Sequence, residues 1–135
     1  MSSTRLVEMV RHFGRDQDPL VRQRLADIVI HSRVAAYTNQ RAMAKIRAGQ
    51  LPGPEMSIAK LSLTNNMTRI SEFVAQVLGP RLVADTGEWG TYAWSEFVLG
   101  TPGLRIAGGT DEVMKNIVGE RVLGLPKEPP GPDGR

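Results

Sequence analysis

The chain has 135 residues, enough for one domain around one modest core. Aromatic residues are sparse at 5% against 41% hydrophobic overall, so aliphatic side chains must fill an interior that suits packed helices better than a β-sandwich. Cysteine is absent, which excludes a disulfide framework, a thiolate metal site and a cysteine nucleophile, and fits a reducing, cytoplasmic setting.

The net charge is +3, unevenly spread: residues 1–60 hold ten Lys/Arg against five Asp/Glu, and residues 61–135 hold seven against nine. A basic half can attract phosphate groups, or can simply be a solvated, Arg-rich helix face. Asp27 and apolar positions interrupt the basic residues and no aromatics interleave with them, so the pattern does not favour nucleic acid. The first ten residues show no signal peptide, and no apolar run reaches the length of a membrane span.

Ser3 to about Phe13 reads as a short helix with Leu6, Met9, Val10 and Phe13 on one side, stopped by Gly14. Asp18 followed by Pro19 is an N-cap with proline at the first helical position. The second helix then runs to about Ala48, with Gly49 as its stop. Along it Val21, Leu25, Ile28, Ser32, Ala35, Asn39, Ala42 and Ile46 recur every three or four residues as one continuous stripe.

After the tight link Gln50–Pro54, a third helix is expected from Glu55 to Leu78. Ile58, Leu61, Asn65, Thr68, Glu72 and Ala75 share one face, and Ile70, Phe73, Val74 and Val77 line another late in the helix. Polar Thr64, Asn65 and Asn66 are candidates to face a ligand or a partner helix. Trp89, Tyr92, Trp94 and Phe97 gather most of the aromatics, and a short helix over Tyr92–Leu99 is expected to close at Gly100–Gly103. The last helix should run from about Thr110 to Val122, with Asp111 and Glu112 at the positive end of its dipole. Short connections between the two long helices imply antiparallel neighbours. The expected architecture is an all-α, up-and-down four-helix bundle over residues 1–126, with 127–135 a disordered tail.

The most informative stretch runs from Arg105 through Gly108-Gly109-Thr110 to Leu123-Gly124-Leu125-Pro126. A glycine-rich loop opening a helix presents backbone N–H groups that can meet a carbonyl or phosphate oxygen, although many ordinary helices begin in this way. The whole string resembles the last helix of the acyl-CoA dehydrogenase family, where Gly-Thr-x-Glu leads into an apolar helix ending Arg-x-Leu-Gly-Leu-Pro. Further pieces fall in that family's order. Phe13-Gly14 is similar to the close of the first helix of its C-terminal domain, and Val21–Asp27 to the opening of its second. Ser57-Ile58-Ala59-Lys60 resembles the Ser-x-Ala-Lys start of its third, and Gln76-Val77-Leu78-Gly79 the cofactor-proximal end of that helix.

The resemblance implies a four-helix bundle within an FAD-dependent enzyme that converts an acyl-CoA thioester to a 2,3-enoyl-CoA. In that family a carboxylate removes the proton beside the carbonyl while hydride passes to the flavin. A backbone N–H and a flavin hydroxyl polarise the thioester oxygen. Position by position, Gly109 matches the residue whose N–H contacts that oxygen. Thr110, Glu112, Gln76 and Gly79 match positions contacting FAD, and Phe13 a residue packing near the cofactor of a neighbouring subunit. The bland alternatives are an exposed helix residue for Gln76, a core anchor for Phe13 and a dipole partner for Glu112. Acyl-CoA is the implied substrate, and a homo-oligomer or a partner acyl-CoA dehydrogenase subunit the implied assembly.

Two departures matter. Where many members carry the catalytic glutamate this chain has Gly108, and Glu8 does not match the alternative position on an earlier helix, so no catalytic residue is assigned. Val10 stands where the family often has arginine, and Pro80 follows Gly79 in place of a second glycine. The family's N-terminal helical domain and middle β-domain have no counterpart in 135 residues. The chain is therefore expected to be a C-terminal piece or subunit that is inactive alone. The alternative is a non-catalytic helical module for oligomer assembly.

Overall fold

The structure is a computed structural model and describes residues 3–51, 53–88, 90–127 and 129. The described residues form five α-helices: α1 (Ser3–His12), α2 (Pro19–Arg47), α3 (Glu55–Leu78), α4 (Thr91–Ile106) and α5 (Asp111–Arg121). A short 3-10 turn, Gly79–Leu82, follows α3. The fold is an all-α bundle, as expected.

Local chemistry sets the first boundary. Gly14 takes a φ of 63°, and Arg15 N–H donates to the Val10 carbonyl at 2.9 Å, closing the end of α1. The Asp18 carboxylate then accepts from Leu20 N–H at 2.9 Å and Val21 N–H at 3.3 Å, with Pro19 in the first turn. Arg15 donates to the same carboxylate at 2.8 Å.

Helices α2 and α3 run antiparallel. Arg69 meets Asp27 at 3.7 Å near one end of the pair, and Lys45 meets Glu55 at the other. A rising residue number in α2 thus matches a falling one in α3. The α2 stripe faces inward as expected: Val21, Ile28 and Ala42 are buried and Leu25 packs on the core, although Asn39 is exposed. α3 is the hub, touching α2, α4 and α5. Its core-facing residues include the late set Ile70, Phe73, Val74 and Val77, joined by Leu78. The other face is only partly covered: Ile58, Leu61, Thr68 and Ala75 are half-buried, whereas Asn65 and Glu72 are exposed. A helix with three partners has no single apolar stripe, and the buried polar residues Ser57 and Thr64 lie on its early turns.

One boundary differs more. α4 does not close at Gly100–Gly103 but continues through Pro102 to Ile106. Packing of α4 on α3 outweighs the poor helix propensity of that stretch. Thr101 is buried, and its hydroxyl donates to the Phe97 carbonyl at 2.7 Å. The aromatics also divide: Trp94 is buried, Phe97 packs against the core and Tyr92 is exposed, while Trp89 lies outside the described residues. Of the expected tail only Lys127 and Pro129 are described, both exposed; the remainder lies outside the described residues. Among the described residues no helix is long and apolar enough to cross a membrane.

Candidate functional site at the junction of three helices

The glycine loop and the start of α5 form the centre of the candidate site. Gly108 and Gly109 take φ values of 66° and 103°, backbone that side-chain-bearing residues rarely adopt. A Cβ on Gly109 would sit 2.5 Å from the Met114 methyl, the flexible end of that side chain, which would have to shift. The positive φ is therefore the stronger demand for glycine. Thr110 caps α5, its hydroxyl accepting from Val113 N–H at 3.3 Å.

The next residue is the structural pivot. Asp111 is only 3% exposed, and its carboxylate accepts from Arg105 Nε at 2.7 Å and from the Thr64 hydroxyl at 3.0 Å. Lys60 Nζ lies 3.8 Å from the same group. That ammonium donates to the Gly109 carbonyl and, at 3.3 Å, to the Arg105 carbonyl. The Arg105 hydrogen bond, aided by Thr64 and by the charges of Arg105 and Lys60, holds the Asp111 carboxyl below its ordinary range. The same bond pushes the Arg105 guanidinium up. One buried carboxylate thus ties α5 to both α3 and the end of α4.

Sequence reasoning placed Asp111 only as a dipole partner and did not join it to Lys60, Thr64 or Arg105. Thr64 is legible as unusual on α3 and Lys60 is not, and nothing in helical periodicity links either to a residue 47 or 51 positions later. Of the two expectations for Thr64, a ligand or a partner helix, the structure shows the helix, and it is α5. Asn65 is exposed and Asn66 half-buried in a groove of about 580 Å³ between α2 and α3. Glu112 is exposed, and its own N–H and then the Thr110 hydroxyl hold its carboxyl below the ordinary value.

The other expected cofactor residues collect at the far end of α3. Phe13 is half-buried against the core, with the Arg81 guanidinium 5.2 Å from its ring centre and His12 edge-on at 4.8 Å. Gly79 caps α3 with a φ of 55°, is exposed, and has open space where a Cβ would stand. Gln76 is half-buried, and its Oε1 is shielded from solvent without a hydrogen-bond partner among the described residues. Along the helix axis Thr64 and Gln76 are about 18 Å apart. Gly109, Thr110 and Glu112 therefore form one group, and Phe13, Gln76 and Gly79 another. A single chain does not bring the two together.

Residues 3–123 match the family described as acyl-CoA dehydrogenase, C-terminal domain. The chain belongs to the acyl-CoA dehydrogenase family through that domain. It is 33% identical over 133 residues to the acyl-CoA dehydrogenase IpdE1 of Mycobacterium tuberculosis, covering 93% of this chain and 32% of that protein. The IpdE1 protein of Mycolicibacterium smegmatis is 32% identical, with 93% and 31% covered. The acyl-CoA dehydrogenase FadE34 of Mycobacterium tuberculosis is 28% identical, with 89% and 16% covered. The chain thus spans about a third of the length of the two IpdE1 relatives. No solved structure matches it significantly.

Proposed function

We propose that this chain is the C-terminal domain or subunit of an FAD-dependent acyl-CoA dehydrogenase that desaturates acyl-CoA thioesters at the α,β bond. The observation that carries the reading is the Gly108–Gly109–Thr110 loop, clamped at the start of α5 inside a family-matched bundle. On this reading Gly109 N–H donates to the thioester oxygen, and a preorganised donor there stabilises the charge that develops on it. The fit to the cofactor rests on Gln76, whose shielded Oε1 lacks a partner among the described residues, and on the open space at Gly79. Gln76 and Gly79 with Phe13 would hold one part of an FAD, and Thr110 with Glu112 a part of another. FAD, when bound, supplies the hydride acceptor. Their separation along α3 supports a homo-oligomer, or a pairing with a partner acyl-CoA dehydrogenase subunit, in which each cofactor is shared. Residues 1–126 form the working domain, in a cytoplasmic setting.

Gly108 offers no carboxylate, so on this reading the base comes from outside the chain, as do the walls of the acyl pocket. The purified 135-residue chain with FAD should not reduce an electron-accepting dye with acyl-CoA thioesters of several lengths. Losing the general base alone is typically worth ~10²–10⁴-fold. Gly108→Glu by itself should not restore turnover, whereas a chain carrying the missing domains should. Clear turnover by the chain alone would overturn the proposal.

A second reading is a non-catalytic helical module that assembles oligomers. It is favoured by exposed apolar residues on α2, where Ile30, Val34 and Tyr37 are each more than half exposed and follow one another at helical spacing. Sedimentation across a wide concentration range tests it. The module reading requires self-association, which a strictly monomeric chain would exclude.

A further inference from the structure

The loop has no rigidity of its own: Gly108 and Gly109 are consecutive, both at positive φ, and neither carries a side chain to pack. Its direction must come from neighbours. Lys60 is placed to provide it, because one ammonium donates both to the Arg105 carbonyl at the end of α4 and to the Gly109 carbonyl just before α5. Asp111, buried and 3.8 Å away, holds that ammonium in place. Arg105 and Thr64 in turn hold the Asp111 carboxylate.

We propose that Lys60 is a positioning residue: through the Gly109 carbonyl it orients the Gly108–Gly109–Thr110 backbone, and Asp111 is the anchor that aims Lys60. The catalytic meaning of this rests on the reading that Gly109 N–H meets the thioester oxygen. The orientation of the loop itself does not. Lys60 touches no reacting atom on this reading. It acts through the peptide unit it holds, so its loss leaves the N–H present but misdirected.

The test has two arms. In the first, ¹⁵N relaxation is recorded on the 135-residue chain. Order parameters at Gly109 and Thr110 should lie near those of rigid backbone, about 0.85, and fall below about 0.6 in Lys60→Met. Val74 and Val77 in the core should be unchanged. Asp111→Asn keeps the shape and removes the anchor, so it should loosen the same amides less. It also serves as the probe should Lys60→Met fail to fold. Unchanged loop order in either folded variant would overturn the proposal. In the second arm the chain is assayed with the domains that complete the enzyme. Lys60→Met should lower kcat about tenfold or more while KM changes less than about twofold, since a fixed donor acts mainly in the transition state. Lys60→Arg should recover part of the loss. Full activity in Lys60→Met would sink the positioning role, whereas an inactive wild-type complex would sink the enzyme reading and leave the loop dynamics standing.

Discussion

The two ends of α3 are held by different physics. From Ile70 to Leu78 the helix packs through an apolar cluster with Leu6, Met9, Val10, Val21, Ile28 and Trp94. From Lys60 to Thr64 it is held to α4 and α5 by one carboxylate, two cations and a hydroxyl. An apolar contact is tolerant of direction, whereas a hydrogen-bonded carboxylate fixes both distance and angle. The fold is secured at the apolar end, and the glycine loop is aimed at the polar one.

The difference can be broken most directly at the apolar end. Phe73 is 1% exposed, and Phe73→Ala should cost ~3–5 kcal/mol in urea unfolding through lost burial and a residual cavity. A loss under about 1 kcal/mol would show that the cluster is not the source of stability. Glycine substitutions sharpen the contrast. Gly109→Ala adds backbone strain of ~1–3 kcal/mol and must also displace the Met114 methyl. Gly14→Ala at the apolar end has a similarly positive φ but open space, and should cost less. Equal melting shifts for the two would argue against a tight loop.

Acid should separate the ends as well. The Asp111 carboxyl is held below its ordinary value, so the unfolded chain takes up a proton first as pH falls. Its stabilisation is therefore present above about pH 4 and is lost on further acidification. Asp18 and Glu55 act in the same direction, through Arg15 and Lys45. The diagnostic is a difference: Asp111→Asn should flatten the fall of stability below about pH 4 relative to wild type. Parallel pH curves would mean that the carboxylate is not coupled to folding. The smallest effect is expected at Arg81, whose guanidinium over Phe13 is worth ~0.5–1 kcal/mol at an exposed site. Arg81→Met should lower stability by no more than that, and a larger loss would point to its pairing with Glu88 at 2.9 Å.

Elements were more legible than the site. The Asp18-Pro19 start, the Gly14 and Gly49 stops and the α2 stripe all follow from local rules, and all appear in the structure. The end of α4 departs from the local expectation because Gly100, Pro102 and Gly103 disfavour helix locally while contacts with α3 favour it. Gly108 to Thr110 stood out as a motif, but the group that aims them did not. Lys60 and Arg105 each look like an ordinary surface cation on their own helix.

The caps, the helical periodicity and the Gly-Thr-x-Glu string determined an all-α chain of this family, because each depends on residues close in sequence. Tertiary structure decided which polar residues meet. Asp111 is buried because α3 and α4 close over it, and it can stay charged there because Arg105 and Thr64 arrive from those helices. It likewise decided that the loop meets α3 near Thr64, about 18 Å along the helix axis from Gln76. Spacing within one helix is set by the chain, but the meeting of three helices is set only by how they pack.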